Sequence, residues 1–499
     1  MNNYSSIAQS FTNVARLHPQ NIAVDDPISG AVSYNDFATL VFGFAHAILK
    51  IRQKSKVLIH LPQGTMAYAA MLGAATCGAT YAPLNVDSPE ERHKMIMDAF
   101  APDVIISNIH FDTKIPILNP KLITPFDPLP IVESDAPSYV IFTSGSTGAP
   151  KGVSISRNAH TAYVSKWVQT LSISSRDRIS QHPSIAFDLS VADIFGALTS
   201  GATLVPFSRV IDKMFPARTI KTARITVWNS TPSVVDFMSQ AGDLSTATIP
   251  KLRCASFCGE PLLPHQAKAI FNAAPAVEVH NSYGPTEATV AVTDSIVAIP
   301  DLEQIANLSL SLGKPLIGNT IVLLGEDGKI SISEGEILIL GDQLADGYWQ
   351  DEERTSASFR MINLGKGLER AYFTGDIGRW VRGKLYFIQR KDHQVKIRGH
   401  RVELGAVAKA VSSVAGCNAI AVHLDDKIFV VIEGPELDSN GVQKILTKTS
   451  AILDRYAQPS GILAISHFPQ NENDKIDLKA ITRYALKKIT SSISTGIHN

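Results

Sequence analysis

Three short runs, Val57-Leu58-Ile59, Val104-Ile105-Ile106 and Tyr139-Val140-Ile141-Phe142, are apolar at every position. A sheet with one wet face alternates apolar and polar side chains. Uninterrupted apolar runs set between helical signals therefore read as buried, largely parallel strands with helices on both faces. This confines the chain to a layered α/β fold. Residues 61–86 contain no charge and are long enough to cross a bilayer. Their Ala, Gly, Thr and Pro content makes them weakly apolar, and they are expected to form a buried small-residue helix running into a strand. Ser88-Pro89-Glu90-Glu91 opens a further helix: a hydroxyl cap, a proline at the first helical position and acids at the positive end of the dipole, with Met95, Ile96 and Phe100 on one side.

Past about residue 315 the pattern changes. The runs over residues 321–324, 329–333 and 336–340, a Gly325-Glu326-Asp327-Gly328 turn and a pair of strands about Arg382-Gly383 predict a small antiparallel subdomain. Beyond Gln389-Arg390-Lys391-Asp392, a helix over about 404–414, a strand pair about Asp425-Asp426 and an amphipathic helix carrying Val442, Ile445, Leu446 and Leu453 predict a compact α+β unit. The expected organisation is a large N-terminal domain, 1–390, and a small C-terminal domain, 391–499, with a frayed Ser/Thr-rich tail from Thr490.

Composition narrows the function classes. Of 499 residues, 45% are hydrophobic and 18% charged, which supports sizeable cores. Lys plus Arg and Asp plus Glu are 46 each, so no net field draws the chain to nucleic acid or anionic lipid. The four cysteines, Cys77, Cys254, Cys258 and Cys417, form no CxxC pair, which argues against a disulfide scaffold or zinc site and fits a reducing compartment. With no charged lead into an apolar run at the start, a cytoplasmic protein without membrane insertion is expected.

The most informative stretch is Phe142-Thr143-Ser144-Gly145-Ser146-Thr147-Gly148-Ala149-Pro150-Lys151-Gly152, directly after a buried strand. Glycines let backbone N–H groups turn toward an anion without Cβ interference, and Lys151 adds a point charge. A phosphate cradle is expected. It is not a Walker A loop, because Gly145 lacks Gly-Lys-Ser/Thr at the required interval.

This stretch resembles the phosphate-loop signature of the adenylate-forming superfamily: acyl-CoA synthetases, luciferases and nonribosomal peptide synthetase adenylation domains. Six further matches follow in the family's order: Phe187-Asp188-Leu189-Ser190; Asn281-Ser282-Tyr283-Gly284-Pro285-Thr286-Glu287; Gly335-Glu336-Ile337; Tyr372-Phe373-Thr374-Gly375-Asp376; Gln389-Arg390-Lys391-Asp392 with Arg398-Gly399-His400-Arg401-Val402-Glu403; and Asn473-Asp474-Lys475-Ile476-Asp477. The resemblance implies two layered α/β subdomains plus a small β region, followed by a mobile C-terminal domain, with ATP and Mg²⁺ as the cofactors.

Each matching position receives a role from the resemblance. Thr143, Ser144, Gly145, Ser146, Thr147, Gly148 and Lys151 would hold phosphates, and Glu287 would ligate magnesium, a hard cation that bridges phosphate oxygens. Tyr283 would stack on adenine; Asp376 would accept the ribose hydroxyls beside Arg390. Gly259, Glu260, Asn281, Ser282, Gly284 and Thr286 would complete the nucleotide contacts. Lys475 would neutralise charge developing at the α-phosphate. Gln389 and Asp474 both stand where the family pattern has glycine; Gln389 bears on loop geometry, and Asp474 would partly offset the Lys475 charge.

A carboxylate in an apolar run is costly unless it meets a cation. Asp188 is such a group, and in the peptide-synthetase branch an Asp at the matching position holds the substrate α-ammonium. Val227-Trp228-Asn229-Ser230-Thr231-Pro232-Ser233, Ser256-Phe257-Cys258-Gly259-Glu260 and Thr286-Glu287-Ala288-Thr289-Val290-Ala291-Val292-Thr293 are most similar to the free-standing D-alanine:D-alanyl carrier protein ligase branch. Leu189, Ala192, Asn229, Cys258, Ser282, Val290 and Ala291 would then line the amino-acid pocket with Asp188. Ala192 replaces a bulkier residue and Asn229 adds polarity, which suits an alanine-, serine- or threonine-like substrate. The implied reaction joins this amino acid to AMP and passes it to the phosphopantetheine thiol of a separate carrier protein. Asp392 would be the hinge, and Gly399, His400 and Arg401 the face used in the second step. An acyl- or aryl-CoA ligase and a non-catalytic nucleotide-binding homologue are the alternatives.

Overall fold

The computed structural model describes residues 5–143, 145, 149–302, 309–365, 367–391, 394–397, 399–470 and 476–495. Its packing divides the chain into two compact units. One comprises Met1–Val86, Phe100–Phe142 and Gly152–Lys391, the other Asp87–Ala99, Thr143–Lys151 and Asp392–Asn499.

The expected buried strands lie side by side in a seven-stranded sheet. Its order is Gly347–Tyr348, Lys151–Ile155, Tyr139–Thr143, Thr80–Pro83, Lys56–His60, Val104–Ser107 and Ile117–Leu118. Lys56–His60 pairs in parallel with both neighbours, as the all-apolar pattern requires. The charge-free stretch forms the buried helix Thr65–Thr76 and then the strand Thr80–Pro83. Among the described residues no helix is long and apolar enough to cross a membrane.

A second sheet of nine strands runs Lys314–Pro315, Thr293–Val297, Glu278–Tyr283, Cys254–Phe257, Val227–Ser230, Arg178–Gln181, Thr203–Pro206, Ile22–Asp26 and Gly30–Ser33. Its central strands are parallel, and side-chain alternation divides two cores. Val227 and Cys254 face the core shared with the helix Leu189–Leu198, while Trp228, Ala255 and Phe257 pack on the opposite face. The antiparallel subdomain is built from Asn319–Leu324, Glu334–Gly341, Phe359–Asn363, Leu368–Val381 and Lys384–Arg390, with the short strand Ile330–Ser331 at one edge. Both expected turns are present, the second with Arg382 at φ 49° and Gly383 at φ 75°.

In the second unit a three-stranded sheet, Ala419–Leu424, Lys427–Glu433 and Gly461–Ile465, packs with the helices Leu404–Ala415, Ser439–Ser450 and Leu478–Thr495. Leu453 falls beyond the helix expected to carry it, because the chain turns at Ala451 and leaves Leu453 to pack from a loop. The tail also departs from expectation. Its Ser/Thr run continues the last helix as far as Thr495, helped by Thr490 Oγ1 and Ser491 Oγ donating to the Leu486 and Lys488 carbonyls.

Candidate active site

Three structures converge in the first unit: a hairpin carrying Asp376, the end of the strand Glu278–Tyr283, and the loop after it. Asp376 and Arg390 are register partners on Leu368–Val381 and Lys384–Arg390. An Arg390 guanidinium N–H donates to Asp376 Oδ1, and the Tyr283 hydroxyl donates to Oδ2 at 2.7 Å. Asp376 is 4% exposed, and its backbone N–H donates to Thr374 Oγ1 at 2.9 Å. Burial, reinforced by the Asp376 charge, holds the Tyr283 hydroxyl well above its ordinary pKa, so the phenol stays a donor. A carboxylate offers about four lone-pair sites, so both oxygens still have capacity for ligand hydroxyls.

Gly375 sits at φ 73°, which favours glycine, and its N–H donates to Glu336 Oε1 at 3.0 Å. The other Glu336 oxygen accepts from Lys391 Nζ at 2.9 Å. The Gly335-Glu336-Ile337 motif thus braces the turn that presents Asp376. Gln389 pairs with Ile377 inside a strand, next to a register shift between Ile377 and Gly378. The departure from glycine therefore falls in a sheet ladder and not, as expected, in a loop.

The strand Glu278–Tyr283 ends in Gly284, where a Cβ would stand 2.6 Å from the Ala291 Cα. Glycine is required for the two arms of the loop to touch. Between them lies the short 3₁₀ turn Thr286–Ala288 with Glu287 fully buried; the Tyr348 hydroxyl donates to Glu287 Oε1 at 2.8 Å. Thr289 and Val290 follow at φ 54° and 70°. For a β-branched residue this is costly, of order 1–3 kcal/mol, and must be held by surrounding structure. Gln343 does this: its side-chain amide donates to the carbonyls of Ala291 at 2.8 Å and Thr289 at 3.4 Å, while its main-chain carbonyl accepts from Thr289 Oγ1 at 2.6 Å. Gln343 Oε1 in turn accepts from Lys166 Nζ and Asn319 Nδ2.

Asp188 lies at the N-terminal boundary of the helix Leu189–Leu198, 6% exposed, and does not cap it. Leu189 and Ala192 are buried on that helix, with Cys258 and Val290 in the same core. Burial, then the charges of Cys258, Asp188 and Asp193, hold the Tyr163 hydroxyl well above its ordinary pKa. Asn229 Nδ2 donates to the Leu189 carbonyl at 3.4 Å, and Cys258 Sγ to the Val290 carbonyl at 3.9 Å. Of the residues named from the sequence for the amino-acid pocket, Asn229 thus touches Leu189 and Cys258 touches Val290.

Other positions carry structural bonds. Both Asn281 amide hydrogens go to the carbonyls of Leu310 and Ser311, Glu260 Oε2 accepts from the Ser233 backbone N–H, and Ser282 Oγ donates to Asp294 at 2.8 Å. Gly259 takes φ 96° and Thr286 is half-buried. In the second unit, Thr143 Oγ1 is buried without a partner among the described residues, Lys151 is 7% exposed, and a Cβ on Gly145 would collide with the Ala149 carbonyl at 2.3 Å. Gly399 makes the turn of the hairpin Gln394–Ile397/His400–Glu403 at φ 79°. Arg401 Nε donates to Gln394 Oε1, and His400 stacks on Tyr456 at 3.9 Å, its pKa lowered to about 4 by burial. Ser144, Ser146, Thr147, Gly148, Asp392 and Lys475 lie outside the described residues.

The sequence reading gave no role to Tyr348, Gln343, Tyr163, Asp193, Ser256 and Asp294. Tyr348 and Gln343 share the stretch Gly341-Asp342-Gln343-Leu344-Ala345-Asp346-Gly347-Tyr348, whose tight Gly-rich ends were the available signal. Among the described residues no group of three or more His, Cys, Asp or Glu could hold a metal alone. A single buried carboxylate at Glu287 suits magnesium arriving with a polyphosphate, the usual donor set for that ion.

This set of sites defines a nucleotide-using enzyme. The model of the AMP-binding enzyme family matches residues 11–349, and the chain belongs to that family. It is an ATP-dependent, AMP-forming ligase. It is 31% identical over 482 residues to the D-alanine--D-alanyl carrier protein ligase of Listeria monocytogenes serotype 4b, covering 90% of this chain and 93% of that protein. Its fold is shared with the Vibrio cholerae adenylation domain AlmE, solved with glycyl-adenosine-5'-phosphate (TM-score 0.82, 23% identity, 98% and 99% of the chains covered). It is shared also with holo-PA1221, a nonribosomal peptide synthetase protein containing adenylation and PCP domains (TM-score 0.83, 23% identity, 96% and 84% covered).

Proposed function

We propose that the protein activates a small amino acid, alanine-, serine- or threonine-like, as its adenylate and transfers it to the phosphopantetheine thiol of a separate carrier protein. The observation that carries this reading is Asp188, 6% exposed at the N-terminal boundary of the helix Leu189–Leu198, at the position where the peptide-synthetase branch has the Asp that holds the substrate α-ammonium. The names of the relatives, a D-alanyl carrier protein ligase and adenylation domains, support the amino acid and the carrier.

In this reading Asp188 anchors the ammonium and so orients the substrate carboxylate. Asp376 and Arg390 hold the ribose, Tyr283 lies along the base, and Thr143 and Lys151 grip phosphate. Glu287 would hold the magnesium, which supplies charge neutralisation on the triphosphate when bound. The amino-acid carboxylate attacks the α-phosphorus and pyrophosphate leaves; Lys475 stabilises the charge that builds on the phosphoryl oxygens. The carrier thiolate then attacks the acyl carbon, forming the thioester and releasing AMP. We assign residues 1–390 to the adenylation core and 391–499 to a domain that turns at Asp392 between the two steps, presenting Gly399, His400 and Arg401 for the second. Pyrophosphate exchange into ATP over a panel of amino, fatty and aryl acids tests the reading. Exchange dependent on amino acids supports it; exchange with fatty or aryl acids alone, or with nothing, overturns it.

A further inference from the structure

Three buried polar groups have no hydrogen-bond partner among the described residues: Asn229 Oδ1, Ser256 Oγ and the Tyr163 hydroxyl. None of the three residues is more than 1% exposed. An unpaired buried polar atom costs about 1–3 kcal/mol and is uncommon in a packed interior, so a cluster of them points to a ligand that completes it.

The placement is specific. Asn229 and Ser256 are directly opposite on the parallel strands Val227–Ser230 and Cys254–Phe257. Alternation sends both to the side of Val227 and Cys254, into the core that contains Leu189, Ala192, Cys258 and Val290. Asn229 donates its amide N–H to the Leu189 carbonyl, one residue from Asp188. That contact fixes the NH₂ edge toward the helix and leaves Oδ1 as the edge in need of a donor. Burial raises the Asp193 carboxyl well above its ordinary pKa, with hydrogen bonds from the Asn229 side chain and the His182 backbone opposing in part.

We propose that Asn229 and Ser256 form a hydrogen-bonding subsite for the substrate side chain, and that the preferred substrate is a small amino acid bearing a hydroxyl or primary amide. This rests on the amino-acid reading above and sharpens it. A hydroxyl or amide donates to Asn229 Oδ1 and exchanges a hydrogen bond with Ser256 Oγ; a methyl group leaves both unpaired. Sites built around substrate hydrogen bonds reject analogues that lack them, by far more than a missing methylene achieves.

The test is amino-acid-dependent pyrophosphate exchange by the full chain with serine, threonine, asparagine, alanine, glycine and 2,3-diaminopropionate, in both enantiomers. The expected kcat/KM for the best hydroxyl or amide substrate exceeds that for alanine by at least about tenfold. Ser256→Ala and Asn229→Leu are expected to lower that ratio by about tenfold or more, whereas a loss of structure would lower both activities together. Should Asn229→Leu fold poorly, Ser256→Ala, which removes one oxygen, decides the question by the same ratio. Preference for alanine, glycine or diaminopropionate in the wild type, or a ratio unmoved by Ser256→Ala, overturns the subsite and leaves the amino-acid reading standing. Exchange with no amino acid overturns both.

Discussion

Asp376 is held from two sides, and the two holds can be separated. Tyr283→Phe keeps the ring against which a base would lie and deletes the hydroxyl that donates to Asp376 at 2.7 Å. A hydrogen bond to a charged group is worth about 1.5–3 kcal/mol, so steady-state kinetics are expected to show KM for ATP rising by about tenfold or more, with KM for the amino acid little changed. A rise confined to the amino-acid KM would contradict the ribose role. His280 makes a different kind of prediction. Its ring is fully buried between Asp294 and Glu278, each at 2.8 Å. Burial alone would depress its pKa, but the bonds to Asp294 and Cys254 and their charges raise it from 6.5 to about 11. The folded chain therefore binds a proton that the unfolded chain releases near pH 6.5. The stabilisation is complete below that pH and is lost progressively as pH rises to about 11. In urea titrations, the stability gap between wild type and His280→Gln is expected to narrow across that window; a gap that widens would refute the charged imidazolium.

At the level of elements, Gln343 is what holds the left-handed pair in the loop from Tyr283 to Val292. Gln343→Leu leaves the Thr289 and Ala291 carbonyls without the side-chain amide that donates to them, at about 1–3 kcal/mol for each buried group, while the Thr289 hydroxyl keeps its bond to the main-chain carbonyl of residue 343. A fall in thermal midpoint together with a raised amino-acid KM is expected; loss of stability with an unchanged KM would show that the turn does not bear on the pocket. Gly145→Ala, which drives a Cβ into the Ala149 carbonyl, is expected to weaken ATP use by about a hundredfold or more, a steric clash no rotamer relieves. Unaltered exchange kinetics would disprove that need for glycine. The two loops differ in how legible they were. Hydroxyls and glycines after an apolar strand point to a phosphate cradle from composition alone, and most of that loop lies outside the described residues. Tyr283, Glu287, Asp376 and Arg390 could be named by resemblance, but their bonding could not, because Asp376 meets Arg390 through hairpin register and Glu287 meets Tyr348 across 61 positions of chain. Gln343 escaped notice, and Ser256 was read as part of a motif without a role of its own, for the same reason: an uncharged polar side chain acquires meaning only from what folds against it. Leu453 and the Ser/Thr tail were misread where local pattern gave no stop signal at the actual helix ends.

Over the whole molecule, apolar periodicity foretold the layered α/β sheets, the antiparallel subdomain and the C-terminal α+β unit, since each is set by burial of contiguous runs. Strand order was not foretold. It depends on crossovers that bring Ile22–Asp26 beside Thr203–Pro206, residues far apart in sequence. The proposed division of labour between the two half-reactions is a prediction at this scale. Lys475→Ala is expected to abolish pyrophosphate exchange while preformed aminoacyl adenylate still loads the carrier thiol; loss of both steps would assign the lysine more than electrostatic help in the first.

The contact between Gly284 and Ala291 has a consequence for how the enzyme can change. With no room for even one extra carbon between those arms, position 284 is closed to every side chain but hydrogen. Libraries aimed at altered selectivity should diversify the helix bearing Ala192 and the strands bearing Asn229 and Ser256 and keep Gly284 fixed.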